Sequence, residues 1–475
     1  MKKKGLDAYL TIFFTLLLMV FVALSLMLIE GVRSNAMRLE LEIAFDTALD
    51  STLAQYHKAL FERYDLLAVD SSYGGREAGI YQTEKKLSDY FQANLSYTNP
   101  QKQFWKKDFL AMKEGCLEIL GVTCLTDAEG RVYRKLCCES ARNDFGLMEL
   151  EQLKNWSQVV TQNHLDQGTI SRDREELVTQ LEEQWKQKEV VEKNPELENP
   201  VKEAKTMFTL GLSNLVLSEG TVSNKGVLKD TLYSYRYQRG ESSVGNLPLS
   251  EKETALDKLL FVHYMNSHFG SYGDIGTGIL EYEREYLVCG KDTDRENLDG
   301  VLLRIFGIRE GLNAMYLYTD KEKCAQAEAI ATAAAVLVLQ PELSQVIKQA
   351  LLLTWISAES VCDVKKLVEG KKVPFYKSAE TWNTGLTSVL KGLFQGSDEE
   401  EGNGLGYQDY VSILLFLTDE TKLSYRAMDL TEGNLRLLPN QDSFRLDACY
   451  VGISARSTVE SGFGYINSIE RTYFY

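Results

Sequence analysis

Residues 9–29 read YLTIFFTLLLMVFVALSLMLI, 21 positions without a charge. As a helix this run rises roughly 31 Å, enough to cross the hydrocarbon core of a bilayer once. The apolar pattern does not stop there. Val32, Ala36, Leu39, Ile43, Ala48, Leu53, Tyr56 and Leu60 recur near the helical period. No proline interrupts residues 6–63, and Gly31 is the one weak point, at about 1 kcal/mol against alanine. The pattern predicts one continuous helix over 6–63, roughly 85 Å long, with its first half in lipid and its second half packed on a body.

Periodicity changes repeatedly after that. Residues 64–73 predict a short buried strand running into a turn at Gly74 and Gly75, and 80–95 a helix. Residues 99–145 are mixed, with a turn at 127–130. Residues 147–199 are rich in Glu, Gln and Lys and end between Pro195 and Pro200, which predicts a solvated helical excursion, an insertion or hinge. Residues 224–247 alternate like a strand before a loop. Residues 250–425 are predominantly helical, with helices over 256–266, 295–317, 324–339, 343–368 and 407–417. Thr293 and Glu296 form a capping box for the second of these, and Gly370 closes the fourth. Residues 444–457 and 461–475 alternate around a turn, as an antiparallel hairpin does. The expected fold class is α+β, predominantly helical: a long N-terminal transmembrane helix, then an α/β body ending in a β-hairpin. The expected divisions are a basic leader (1–8), the span (9–29), the continued helix (30–63), a first part of the body (64–146), the excursion (147–199) and the main body (200–475).

Composition narrows the partners. The chain has 475 residues, 44% hydrophobic and 25% charged, so beyond the single span it is an ordinary globular protein. Its net charge of -16 argues against nucleic acid, which demands clustered cations. The one basic cluster, Lys2, Lys3 and Lys4, precedes the span. The positive-inside rule keeps it cytoplasmic and sends the body outside, so the first expected partner is the lipid bilayer. A cleaved signal peptide fits less well, because the run is long and only a Ser34-x-Ala36 pattern stands in for A-x-A.

Candidate chemistry is sparse. Cys116, Cys124, Cys137 and Cys138 lie close in sequence, and they are read either as buried thiols or as one or two local disulfides. No C-x-x-C pair exists. The four histidines are scattered, and His263 and His268, five apart, do not share a helix face as metal ligands would. No G-x-S-x-G elbow is present. Asp70 and Ser72, after an apolar strand, resemble the start of the D-x-S-x-S metal site of von Willebrand factor A domains. Gly74 replaces the last serine, and a polar turn explains the stretch as well. Residues 290–297 miss the glycine that a calcium loop needs. The glycine-rich stretches 273–278 and 402–406 lack the nucleotide-binding pattern. The expectation is a protein that is not an enzyme and takes no cofactor and no nucleotide.

The head of the chain, KKKGLDAYLTIFFTLLLMVFVALSLMLIEGVR, resembles the pseudopilins of the Tad (Flp) pilus, the TadE/TadG-like proteins. The body resembles a branch of these from Gram-positive, clostridial-type bacteria, encoded near Tad pilus genes. The stretches that carry the likeness are AQYHKALFERYDLLAVDSSYG, GKDTDRENLDGVLLRIFGIREGLN, KVPFYKSAETW, YQDYVSILLFL and MDLTEGNLR. The resemblance implies a membrane-anchored extracellular accessory protein, a minor pilus subunit, whose partners are other pilin-like subunits. It also implies cleavage by a prepilin peptidase between Gly5 and Leu6. Leu10 stands where a type IV pilin carries a glutamate.

Overall fold

The computed structural model describes residues 2–75, 77–95, 112, 115–142, 147–186, 212–217, 222–238, 255–337, 339–389, 404–461 and 464–475. The fold is α+β and predominantly helical, with a long apolar N-terminal helix and antiparallel strands. It divides into two compact units. Unit 1 comprises Met1–Tyr133, Gly240–Glu251 and Pro439–Tyr475; unit 2 comprises Arg134–Arg239 and Lys252–Leu438.

Unit 1 is built on α1 (Lys2–Leu53), which rises roughly 78 Å. The predicted continuous helix to residue 63 breaks here. The chain turns at 54–57 and restarts as α2 (Lys58–Tyr64). The cause is local: His57 caps α2, its Nδ1 accepting from Leu60 N at 3.1 Å, while its own amide donates to Ala68 O at 2.8 Å. The expected strand over 64–73 shrinks to β1 (Val69–Asp70). After α3 (Ile80–Asn94) comes β2 (Cys116–Cys124), inside a stretch read only as mixed. The turn expected at 127–130 is present: Ala128, Glu129 and Gly130 take left-handed backbone at the start of α4 (Asp127–Ala141).

The predicted C-terminal hairpin forms as β3 (Cys449–Glu460) and β4 (Ile466–Phe474). β3 is the centre of the sheet and pairs antiparallel with β1, β2 and β4. Alternation then sorts the side chains. Ile453, Ala455, Val459, Ile469 and Leu117 face the core. Arg456, Thr458, Ser468, Glu470 and Thr472 form a polar outer ladder, with Arg456 Nε 2.7 Å from Glu470 Oε1 and Thr472 Oγ1 3.0 Å from Ser454 Oγ. The second half of α1 lies on the core face through Met37, Leu41, Ala44, Phe45, Ala48, Leu49 and Leu53, joined by Leu87 and Phe91 of α3. Phe45 and Phe91 meet edge to face at 6.2 Å. This corrects the expected seat. Val32, Leu39 and Ile43 repeat with the same period but lie half a turn away, and all three are exposed. Gly115 and Gly452 allow Phe91 and Phe474 to lie flat on the backbone, where a Cβ would collide.

Unit 2 is helical: α5 (Leu147–Gln162), α6 (Thr169–Lys186), α7 (Tyr233–Gln238), α8 (Ala255–His268), α9 (Glu283–Cys289), α10 (Asp294–Leu317), α11 (Lys321–Leu337), α12 (Ser344–Val368), α13 (Tyr407–Leu417) and α14 (Glu420–Arg436). The Thr293 capping box starts α10, and Gly370 with φ +83° follows α12. Two expectations fail. The excursion over 147–186 is helical but not merely solvated, since Val178 and Leu181 of α6 share a core with Ala331, Ile347 and Leu351. The strand expected from 224 is instead a single bridge from Gly226 to Thr293 and a 3-10 turn (Lys229–Thr231) leading into α7. Residues 187–199 and 239–247 of those two readings lie outside the described residues.

Candidate functional site

The first half of α1 is the most unusual surface on the molecule. Every large apolar side chain from Tyr9 to Ile29 is exposed, from 76% at Tyr9 to 52% at Ile29. Among the described residues this is the one helix long and apolar enough to cross a membrane. Its hydroxyls are satisfied within the helix, Thr15 Oγ1 donating to Ile12 O and Ser25 Oγ to Phe21 O, each at 2.8 Å. That is what a hydrocarbon environment requires of polar groups. The first charged pair is Glu30 with Arg33, at 3.6 Å. Met37, one turn further, is already buried. One helix therefore passes from fully exposed to seated on a sheet within about two turns. Lys2, Lys3, Lys4, Gly5 and Leu6 continue the same helix in backbone, and their side chains lie outside the described residues.

The other sequence candidates separate. None of the eight cysteines forms a disulfide, so of the two readings the structure shows thiols. Cys116 is exposed and Cys124 buried at opposite ends of β2, roughly 26 Å apart along an extended strand. A disulfide needs Cα atoms within about 7 Å. Cys137 and Cys138 are buried neighbours on α4, and Cys138 Sγ donates to Asp257 O at 3.1 Å. The carboxylate of Asp70 is taken by Ser72, accepting from its N at 2.9 Å and its Oγ at 2.6 Å, which is the polar-turn geometry. No group of three or more His, Cys, Asp and Glu that could hold a metal occurs among the described residues. His57 Nε2 lies 3.0 Å from Gln441 Oε1, and His268 stacks on Tyr264 at 4.1 Å. In the loop 273–278, Gly276 and Gly278 leave room for the buried Glu283 carboxylate. Residues 402 and 403 lie outside the described residues.

Sequence reasoning missed the buried charge of unit 2. Arg309 on α10 is fully buried and donates through Nη2 to Asp363 Oδ2 of α12 at 2.8 Å, and through Nη1 to Pro374 O, Phe375 O and Tyr410 Oη. Lys377 Nζ bridges Asp363 Oδ1 and Glu359 Oε1, each at 2.8 Å. Glu359 also accepts from the amides of Asn383 and Thr384. Burial opposes charge on Asp363, yet Arg309 and Lys377 hold its carboxyl below the usual range. A second knot joins Glu310 to Arg174 at 3.4 Å and to Ser171 and Ser357, each at 2.5 Å. Burial pushes the Glu310 carboxyl up, against the pull of Arg174 and the two hydroxyls. These groups bond to one another and so cross-link α6, α10 and α12. Their signal was present: Glu359 and Asp363, one turn apart, are the only charges in the run LLLTWISAESVCDV, whose other residues are apolar or small hydroxyls. A charge with apolar neighbours on every side of a helix is a buried charge.

A family model describing a family of unknown function, DUF5702, matches residues 190–461, more than half of the chain. No curated protein and no solved structure matches it. The stretch matched includes α7–α14, with Arg309, Glu359, Asp363 and Lys377, and also β3. The chain belongs to DUF5702, a family of unknown function.

Proposed function

We propose that this is a single-pass, membrane-anchored structural protein, a minor pseudopilin-like component of a Tad (Flp)-type pilus or a related cell-envelope assembly. The observation that carries the reading is α1: one helix, apolar on every side over 9–29 and seated on an antiparallel sheet through its second half. That arrangement suits a helix that sits in lipid or among like helices while presenting a folded body. In this reading Lys2, Lys3 and Lys4 stay cytoplasmic, the body lies outside the cell, and the protein acts mechanically, without catalysis or cofactor. Leu10, in place of the pilin glutamate, favours a second reading, a plainly anchored extracellular binding or sensor protein.

Mass spectrometry of the mature N-terminus separates them. A chain beginning at Leu6 supports prepilin-type processing; an intact Met1–Lys4 leader sinks that step and favours the plain anchor. Deleting the gene should abolish surface fibres, and unchanged fibres would count against the pilus role. Orientation has its own test, because Cys116 is an exposed thiol. A membrane-impermeant maleimide should label it on intact cells and not in Cys116→Ser. Labelling of Cys116 only after lysis reverses the topology.

A further inference from the structure

Residues 222–238 lie on unit 2 with little apolar anchorage. Among their described side chains only Leu232 and Tyr233 are buried, and Leu228 is 78% exposed. What holds the segment is a repeated polar pattern, Ser223-Asn-Lys225 and Ser234-Tyr-Arg236. In the first clamp Ser223 N donates to Tyr282 Oη at 3.2 Å and Ser223 Oγ to Asp294 Oδ2 at 2.6 Å. Lys225 Nζ then reaches Glu281 Oε1 at 3.0 Å. In the second clamp Ser234 donates to Asp429 through N at 2.9 Å and Oγ at 2.6 Å. Arg236 grips Glu432 with two bonds of 2.7 and 2.8 Å. Both clamps therefore pair a serine with one carboxylate and a cation, two residues on, with another. Tyr286, four residues after Tyr282, donates to Asp429 Oδ2 at 3.3 Å. Two backbone bonds, Asp294 N to Lys225 O and Val227 N to Asp292 O, each at 2.9 Å, add to the contact, as do Arg436 Nη1 donating to Thr231 O at 2.7 Å and the Tyr233 ring 6.0 Å from that of Tyr425.

We infer that residues 222–238 are a releasable strap, which opens without unfolding unit 2 and frees its bonds to the carboxylates of Glu281, Asp294, Asp429 and Glu432. Local opening is governed by how much apolar surface and how many sheltered bonds a segment must give up. Here two apolar side chains are lost, and one clamp, Lys225 with Glu281, is half-exposed and weakened by salt.

The groups facing Asp429 make the hold depend on pH. Ser234 faces it from the strap, with Arg236 beside it on Glu432; Tyr286 faces it from α9; Arg426 and Glu432 flank it on α14, where Arg436 also pairs Glu432 at 2.7 Å. Burial, with the Glu432 charge added and the Ser234 bonds opposed, raises its carboxyl to about 7. The closed strap thus covers a neutral acid at low pH, while the open form ionises. Opening should increase as pH rises from about 4 to 7 and level off above.

Hydrogen exchange of the full chain in lipid nanodiscs tests this, with rates expressed relative to unprotected amides at each pH. Amides of 222–238 should be at least about a hundredfold less protected than those of α10 and α12. Arg236→Ala should lower strap protection about tenfold further and leave α10 and α12 unchanged. Lys225→Ala, at a half-exposed position, should loosen only residues 222–228. Asp429→Asn should remove the pH dependence. Strap amides that exchange in step with α10 and α12, in the natural protein or in Arg236→Ala, would overturn the inference, because the segment would then open only by global unfolding. So would strap protection that is unchanged by both substitutions.

Discussion

The two units solve burial in opposite ways. In unit 1 the described core is apolar, from Met37 to Leu53 on α1 against Leu117, Ile453 and Val459, and the one acidic or basic side chain buried there is Asp127. In unit 2 the described residues bury Arg309, Lys377, Glu310, Glu359, Asp363, Asp429, Glu432 and several more. An apolar face binds whatever apolar surface fits, and is forgiving of small shifts. A buried ion pair tolerates one arrangement only, since a displaced partner leaves an uncompensated charge in a medium that cannot solvate it. Unit 1 is thus a seat for a helix. Unit 2 is a set of helices pinned in register.

The contrast can be broken by mutation. The largest effect should come from Arg309→Met, which leaves Asp363 with one cation fewer in a sealed interior. A loss of about 3–5 kcal/mol is expected in denaturant unfolding. A loss below about 1 kcal/mol would show that the network contributes little beyond packing. Phe45→Ala in unit 1 should cost about 3–5 kcal/mol through cavity formation, at the lower end if α1 can settle toward the sheet. That cost should be the same at pH 5 and pH 8, since no titratable group lies in the cavity, as differential scanning calorimetry would register.

Next comes the pH response. The Asp429 carboxyl is raised to about 7 in the fold, so between about pH 4 and 7 the folded chain keeps a proton that the unfolded chain releases. Its stabilising share is full in acid and is lost as pH rises toward 7, at up to about 1.4 kcal/mol per pH unit. Asp429→Asn should flatten that slope in thermal melts of unit 2; an unchanged slope would assign it to other groups. The smallest effect is expected on the outer ladder of the sheet. Arg456→Ala removes an exposed pair with Glu470 and should cost about 0–1 kcal/mol, shrinking further in salt.

How much of this was legible varied with the kind of signal. The apolar run 9–29 and the helices from 294 to 417 were readable because length and period both spoke for them, whereas α14 was not read at all. The seat of α1 was not. Met37, Leu41, Ala44 and Ala48 follow the helical period, and so do Val32, Leu39 and Ile43, and only the partner sheet decides which stripe is covered. The break after Leu53 depends on a histidine cap and a bond to Ala68, without proline or glycine to announce it. The strap clamps were hidden because Ser223, Lys225, Ser234 and Arg236 look like surface residues until their carboxylate partners, up to 196 positions away, are placed. Glu359 and Asp363 could have been found, since they stand one turn apart among Trp355, Ile356, Val361, Cys362 and Leu367 in the helix that carries them.

The order of synthesis follows from the sheet. α1 leaves the ribosome well before β3 and β4, which cover its inner face. At about 5–20 residues per second, Phe45 waits on the order of a minute for Ile453 and Val459. Through that interval the sequence of unit 2 emerges and can begin to fold by itself, while one side of the stalk remains bare. A holding partner during translation, or the bilayer surface, would have to shelter that face, and a stalled chain ending before β3 would display it permanently.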